Sequence, residues 1–224
     1  MMYDYKLHLV IRPHGLACGS SQKVISIDKF APRMVFPGVD YETIDIRDAD
    51  RLNGLAQRFS KIDVLINNAA VQHVSLLSSY GQSDMEEMID VNITGTLNVT
   101  RAFLPHLEDG LIINIGSVHS SVPRTKKIPY DMSKAALVIL TKETALELEA
   151  QNTRAICVEF GAVRTPMNDD FKDEQAAKEA VGKQVIKHLM TSGECARMVF
   201  ELTTDKFKYL NGSVIRYDCG RSVK

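Results

Sequence analysis

The chain has 224 residues, room for one domain with a substantial core and too few for two large ones. Hydrophobic residues make up 45% and charged residues 25%, with a formal net charge of -1, which argues against nucleic acid or an anionic membrane as partner. Basic residues are scattered, and the longest basic run, Lys126-Lys127, reads as solvated surface.

In chain order, KLHLVI (6–11), KVISI (23–27) and the weaker YETIDI (41–46) read as strands. DADRLNGLAQRF follows as a helix opened by an acidic cap, then IDVLIN (62–67) as a strand. DMEEMIDVNITGTLNVTRAFLPHL reads as a long helix with a proline near its end, and LIINIGS (111–117) as a strand buried on both faces. YDMSKAALVILTKETALELEAQ places Ala135, Leu137, Val138, Thr141, Ala145 and Leu148 at helical spacing. TRAICVEF (153–160) and SVIRY (213–217) are strands, SGECARMVFELTT is a helix, and the charged stretch 168–184 is a surface helix or lid. Strands alternating with helices predict a parallel, doubly wound α/β sheet in a single domain spanning 1–224.

Four features stand in order on this scaffold: INNAA (66–70), DVN (90–92), INIGS (113–117) and YDMSK (130–134). Together they resemble the short-chain dehydrogenase/reductase family, whose fold is Rossmann-like. FGAVRTPM (160–167) is similar to that family's PGxVxT segment, and YDCG (217–220) to its DGG. The resemblance implies a catalytic set of Asn92, Ser117, Tyr130 and Lys134, with no metal. Tyrosine has a pKa of about 10, so a lysine one helical turn away would favour the phenolate. By resemblance, Ser117 orients the substrate oxygen, Asn92 holds a relay water and Lys134 also bonds the nicotinamide ribose. Each residue also has a plainer reading. Tyr130 and Lys134 are then ordinary helix residues, Ser117 a strand-end cap, and Asn92 a partner for local backbone.

The cofactor is expected to be NAD(H) in preference to NADP(H), because Asp28 ends the second strand, where an acidic residue bonds the adenosine ribose. Lys29 beside it pulls towards a phosphate. By resemblance Asp45 and Ile46 contact adenine, Asn68, Ala69 and Ala70 line the ribose side, and Val163 and Thr165 meet the carboxamide and phosphates. Ala70 replaces a glycine, Phe160 replaces a proline, and Cys219 replaces a glycine in what reads as a mild change. The large departure is at the start. Residues 12–22 connect the first two strands with Gly15 and Gly19 as the only glycines, too short for a phosphate loop and a full helix. These glycines form either a turn with a stub helix or an ordinary loop. The first βαβ crossover is therefore expected to be short or irregular, the sheet face over the missing helix partly exposed or covered by a neighbouring subunit, and NAD(H) binding weak.

Cys18, Cys157, Cys195 and Cys219 lack CxxC spacing and read as reduced thiols, and no apolar run reaches membrane-span length. With no secretory pattern in MMYDYKLHLVI, a cytoplasmic location is expected. The reading is an oxidoreductase interconverting a small secondary alcohol and a ketone. His73, His119, Phe160 and Met167 are candidate substrate contacts, although the two histidines also suit surface loop. The resemblance implies a homodimer or homotetramer. The rival is a binding or regulatory subunit that keeps the fold and has lost the dinucleotide.

Overall fold

The computed structural model describes residues 7–11, 23–32, 34–165, 167 and 174–224, the first of these segments by its backbone alone. Its strands are β1 (Leu7–Ile11), β2 (Lys23–Asp28), β3 (Val39–Thr43), β4 (Val64–Asn67), β5 (Leu111–Ser117), β6 (Arg154–Phe160), β7 (Val163–Arg164), β8 (Met190–Thr191) and β9 (Ser213–Tyr217). Seven of them make one sheet in the order β3-β2-β1-β4-β5-β6-β9, and β7 pairs with β8 apart from it. The helices are α1 (Ala49–Ala56), α2 (Gln82–Ile89), α3 (Thr96–Phe103), α4 (Ile128–Glu147), α5 (Glu174–Gly182) and α6 (Ser192–Leu202).

Local chemistry explains the boundaries. Asp48 caps α1 by accepting from the Arg51 N–H, and Thr191 and Glu194 form a reciprocal capping box on α6. Pro129 opens α4, where its missing N–H matters least. Between α2 and α3 the helix widens into a π-turn over Asp90–Gly95. Gly95 lies against Ile46, so close that an added Cβ would meet Ile46 Cδ1 at 2.6 Å.

The parallel strands β4, β5 and β6 bury both faces, as their continuous apolar runs predict, and β9, at the edge of the sheet, is half-buried to exposed. One core cluster includes Leu65, Phe103, Ile112 and Leu148; the other includes Ile113, Val158, Val199 and Leu202. Across the sheet, Asn67 Nδ2 donates to Asn114 Oδ1 at 2.8 Å, and Asn114 Nδ2 donates to Thr141 Oγ1 at 2.9 Å. This buried ladder ties β4 and β5 to α4.

β1 departs from the all-parallel expectation, because it runs antiparallel to both neighbours. An antiparallel neighbour can be reached by a hairpin-type connection, whereas a parallel one needs a crossover of a dozen or more residues. Leu7 faces Ile27 near the carboxyl end of β2, and Ile11 faces Lys23 at its amino end. The carboxyl edge of the parallel strands thus receives the amino end of β1. Gly15 and Gly19, with the crossover expected there, lie outside the described residues. The sheet is not bare at β2, where Ile25, Ser26 and Ile27 are all buried on their alternating faces. YETIDI is also displaced: the strand is Val39–Thr43, and Ile44 follows with its N–H bonded to the Asp28 carbonyl at 2.9 Å.

Candidate active site

The carboxyl ends of β4, β5 and β6 and the first turns of α4 enclose a cavity of about 600 Å³. Ser117 is the last residue of β5 and Tyr130 and Lys134 stand one turn apart on α4, so strand end and helix face meet at one wall. Tyr130 is 8% exposed and Lys134 4%. Lys134 Nζ lies 5.8 Å from the centroid of the Tyr130 ring and donates to the Ile115 carbonyl at 2.8 Å. That carbonyl is its one hydrogen-bond acceptor among the described residues, which leaves two N–H donors for the cavity.

Burial dominates the electrostatics. It pushes the Tyr130 phenol up to about 12, with a hydrogen-bonding interaction from Ser117 pulling the other way. It pushes the Lys134 ammonium down to about 8, opposed weakly by Cys157 behind it. The expectation that the lysine favours the phenolate is therefore outweighed by desolvation of the ring. Tyr130 is a neutral phenol at pH 7. Behind β5, burial also pushes the Cys157 thiol up to about 11.

Asn92 sits in the π-turn, 1% exposed, with its side chain engaged on both ends. Oδ1 accepts from the Val71 N–H at 2.8 Å, and Nδ2 donates to the Val71 carbonyl at 2.9 Å and Ser133 Oγ at 3.0 Å. This locks the loop after β4 to α4 next to Tyr130. Ser117 Oγ accepts from the His119 N–H at 3.2 Å.

Of the proposed cofactor contacts, Asn68, Ala70, Val163 and Thr165 line the cavity with Tyr130 and Lys134. Ala70 has no positive φ, so alanine in place of glycine carries no strain there. Ala69 is buried beside it in the core. Asp28, Asp45 and Ile46 lie beyond the cavity, at the ends of β2 and β3. Asp28 Oδ1 accepts from the Phe30 N–H at 2.9 Å, and Lys29 pairs with Glu87 at 3.8 Å. Asp45 is held by Arg47, whose Nη2 donates to Oδ2 at 2.6 Å, and that bond keeps its carboxyl below the usual carboxylate range. Ile46 is buried under Gly95. The spare donors of Lys134, on the same cavity wall as Asn68 and Ala70, fit the nicotinamide half of a dinucleotide. The segment that would hold the pyrophosphate lies outside the described residues.

Phe160, His119 and Met167 line the cavity. Phe160 makes an edge-on contact with Tyr217, ring centroids 6.1 Å apart. His73 does not; its Nε2 bonds Glu87 Oε2 at 2.8 Å. Cys219 has φ 54, a left-handed conformation that glycine adopts without cost, so its replacement of glycine is strained and not mild.

Three polar residues at the site carry no motif. Lys127, read as surface, is 2% exposed on the cavity wall with Gln72. Glu159 of β6 is 1% exposed, paired with Arg216 at 2.9 Å and bonded to the Ser120 hydroxyl, which braces the turn after Ser117. A charged residue inside an otherwise apolar strand, as in TRAICVEF, was the available signal for Glu159.

A family model described as enoyl-(acyl carrier protein) reductase matches residues 36–222. The chain is 31% identical over 192 residues to the 3-oxoacyl-(acyl-carrier-protein) reductase FabG of Thermotoga maritima, covering 82% of this chain and 78% of that protein. It is also 31% identical over 193 residues to dehydrogenase/reductase SDR family member 6 of Danio rerio, covering 82% and 79% respectively. Among solved structures, the ligand-free aldohexose dehydrogenase of Thermoplasma acidophilum superposes with TM-score 0.82 at 23% identity, over 90% of this chain and 85% of that one. A gluconate 5-dehydrogenase from Burkholderia cenocepacia, in complex with NADP and tartrate, superposes with TM-score 0.79 at 24% identity over 84% and 76%. Among the described residues no helix is long and apolar enough to cross a membrane. The chain belongs to the short-chain dehydrogenase/reductase family, on a Rossmann-like α/β fold, and is an oxidoreductase.

Proposed function

We propose that this protein reduces a small ketone to a secondary alcohol, and the reverse, with NAD(H) in preference to NADP(H). The observation that carries the reading is one cavity wall holding Ser117, Tyr130 and Lys134, with two Lys134 N–H donors that meet no acceptor among the described residues. A bound nicotinamide dinucleotide supplies the hydride donor or acceptor. Ser117 and Tyr130 hydrogen-bond the substrate oxygen. Tyr130 then gives that oxygen its phenolic proton. A phenol held at about 12 is a proton donor at neutral pH, which favours reduction. The Lys134 ammonium offsets the charge left on Tyr130 and holds the ribose hydroxyls. Asn92, bonded to Val71 and Ser133, serves as a positioning residue that fixes the loop beneath the cofactor.

Asp28 at the end of β2 supports the NAD(H) preference, since its carboxylate opposes a 2′-phosphate. Four of the similar solved structures are complexes with NADP or NADPH, so the preference rests on this chain's own Asp28. The amino end of β1 at the cofactor edge supports weak pyrophosphate binding. Exposed Leu97, Ile139 and Leu146 on α3 and α4 support a homodimer or homotetramer through those helices.

Calorimetric titration with NADH and then NADPH tests the reading. Saturable NADH binding, tighter than NADPH by about tenfold (about 1.4 kcal/mol), is expected. Absence of binding by either would leave the fold in place as a non-catalytic partner subunit.

A further inference from the structure

Glu159 sits in a stretch of β6 that is otherwise apolar and is 1% exposed there. Its carboxyl has two partners, and both are donors. Oε1 accepts from the Ser120 hydroxyl, and Oε2 accepts from Arg216 Nε of β9 at 2.9 Å. Arg216 reaches further, its Nη2 donating to Ser121 Oγ at 3.1 Å. Ser120 and Ser121 belong to the turn that leaves β5 after Ser117. Parallel register sets Glu159 beside Gly116, so near that a Cβ on that glycine would meet Glu159 Cγ at 3.3 Å. One side chain thus packs on the residue before Ser117 and holds the third residue after it.

An ion pair in the interior is a poor source of stability, because desolvating two charges cancels most of their attraction. Arg216 also keeps 46% of its side chain exposed, which weakens the pair further. An apolar side chain would fill the same place in β6 at little cost to stability. Geometry accounts for the carboxyl better, and the geometry it governs is that of Ser117.

The Ser117 hydroxyl has one O–H and two lone pairs. The His119 N–H, in the same turn, donates to Oγ at 3.2 Å. With that side of the oxygen occupied, the O–H is turned away from the turn, and Ser117 lines the cavity. His119 is fixed in its own right, its Nδ1 donating to the Val122 carbonyl at 2.9 Å. Neither Glu159 nor Arg216 lines the cavity.

We propose that Glu159 is a positioning residue of the reduction: by holding Ser120 it keeps the His119 N–H on Ser117 Oγ, and so directs the Ser117 hydroxyl at the substrate oxygen. This rests on the oxidoreductase reading given above. Arg216 completes the brace from β9.

Steady-state kinetics with NADH and whichever of butanone, cyclohexanone and acetophenone the wild type reduces fastest reads the effect, beside a titration with NADH. Glu159→Leu keeps the bulk and removes both acceptor oxygens. Ser120→Ala removes the same bond from the turn and carries the test alone if the leucine variant does not fold. Each is expected to lower kcat/KM for the ketone about tenfold, with NADH affinity unchanged, against about 10²- to 10³-fold for Ser117→Ala. On the Ser117→Ala background neither change should lower the rate further, because the hydroxyl through which they act is gone. A merely structural contribution would persist on that background. Unchanged kinetics in both single variants, a fall in NADH affinity that matches the fall in rate, or a loss that survives on Ser117→Ala overturns the assignment and leaves the oxidoreductase in place. A wild type that binds NADH and oxidises it with no ketone removes the oxidoreductase reading, and this assignment with it.

Discussion

The two halves of the sheet are built to different standards. On one side β4, β5 and β6 run parallel, end at a common edge, and are stitched to α4 by the buried Asn67–Asn114–Thr141 ladder. On the other, β1 is reversed between β2 and β4, and the polar side chains at the strand ends are tied to their own neighbours, Asp28 to Phe30 and Asp45 to Arg47. In the proposed function the first half fixes the reacting oxygen and the ribose. The second, where a family member holds adenosine and pyrophosphate, keeps the acidic residue and alters the path of the chain. Chemistry is thus conferred by geometry that tolerates little movement, whereas the distant half of a large ligand is held by contacts that can be weakened one at a time.

The largest expected effect breaks the comparison at its strong end. Tyr130→Phe should lower turnover by about 10²- to 10⁴-fold while NADH affinity stays close to wild type. Steady-state kinetics beside a titration would show it, and an active variant would remove Tyr130 from the proton path. The rate of reduction should fall by up to about tenfold per pH unit above pH 8, as Lys134, held at about 8, loses its proton. Stability moves the other way. Lys134 titrates below its ordinary 10.5, so the folded chain carries fewer protons than the unfolded one from about pH 8 upward, and this group's contribution rises with pH. From about pH 9 the thiols of Cys157 and Cys195, each pushed up to about 11, reverse that trend. Rate profiles flat to pH 10 would mean that the ammonium is not needed.

Asn114→Ala removes the two buried side-chain bonds to Asn67 and Thr141, which keep their bonds to Thr100 and the Leu137 carbonyl, and should cost about 1–3 kcal/mol in urea unfolding. Arg47→Ala, which cuts a half-exposed ion pair in the other half, should cost less than about 1 kcal/mol. Equal costs would erase the contrast between the halves. The smallest effect is a gain: Cys219→Gly should stabilise by about 1 kcal/mol, a rise in Tm of about 2–4 °C, by relieving a left-handed residue. A fall in Tm would mean that the packing of the cysteine outweighs the strain.

Legibility followed the same division. Strand runs such as LIINIGS and the YDMSK pair could be placed from spacing alone, because a buried parallel strand and a helix face each impose a period on the chain. The reversal of β1 could not. A strand covered on both faces shows the same apolar run in either direction, so only the brevity of residues 12–22 hinted that a parallel crossover would not fit. Asn92 was found as a motif residue, but its bonds to Val71 and Ser133 required the loop and α4 to be brought together. Lys126 and Lys127 look alike in sequence. Lys126 takes φ 68 in the turn before α4 and stays exposed, while Lys127 is swept under the helix start onto Gln72.

By itself, then, the sequence determined the order of elements, the family, and which side chains of α4 and β5 share a wall, since each of these follows from local period and fixed intervals. Tertiary structure alone decided the direction of β1, the protonation of Tyr130 and the burial of Lys127. Strand direction depends on which neighbour a strand pairs with. A pKa or a buried ammonium depends on how much water the rest of the fold excludes, and residues distant in the chain set both.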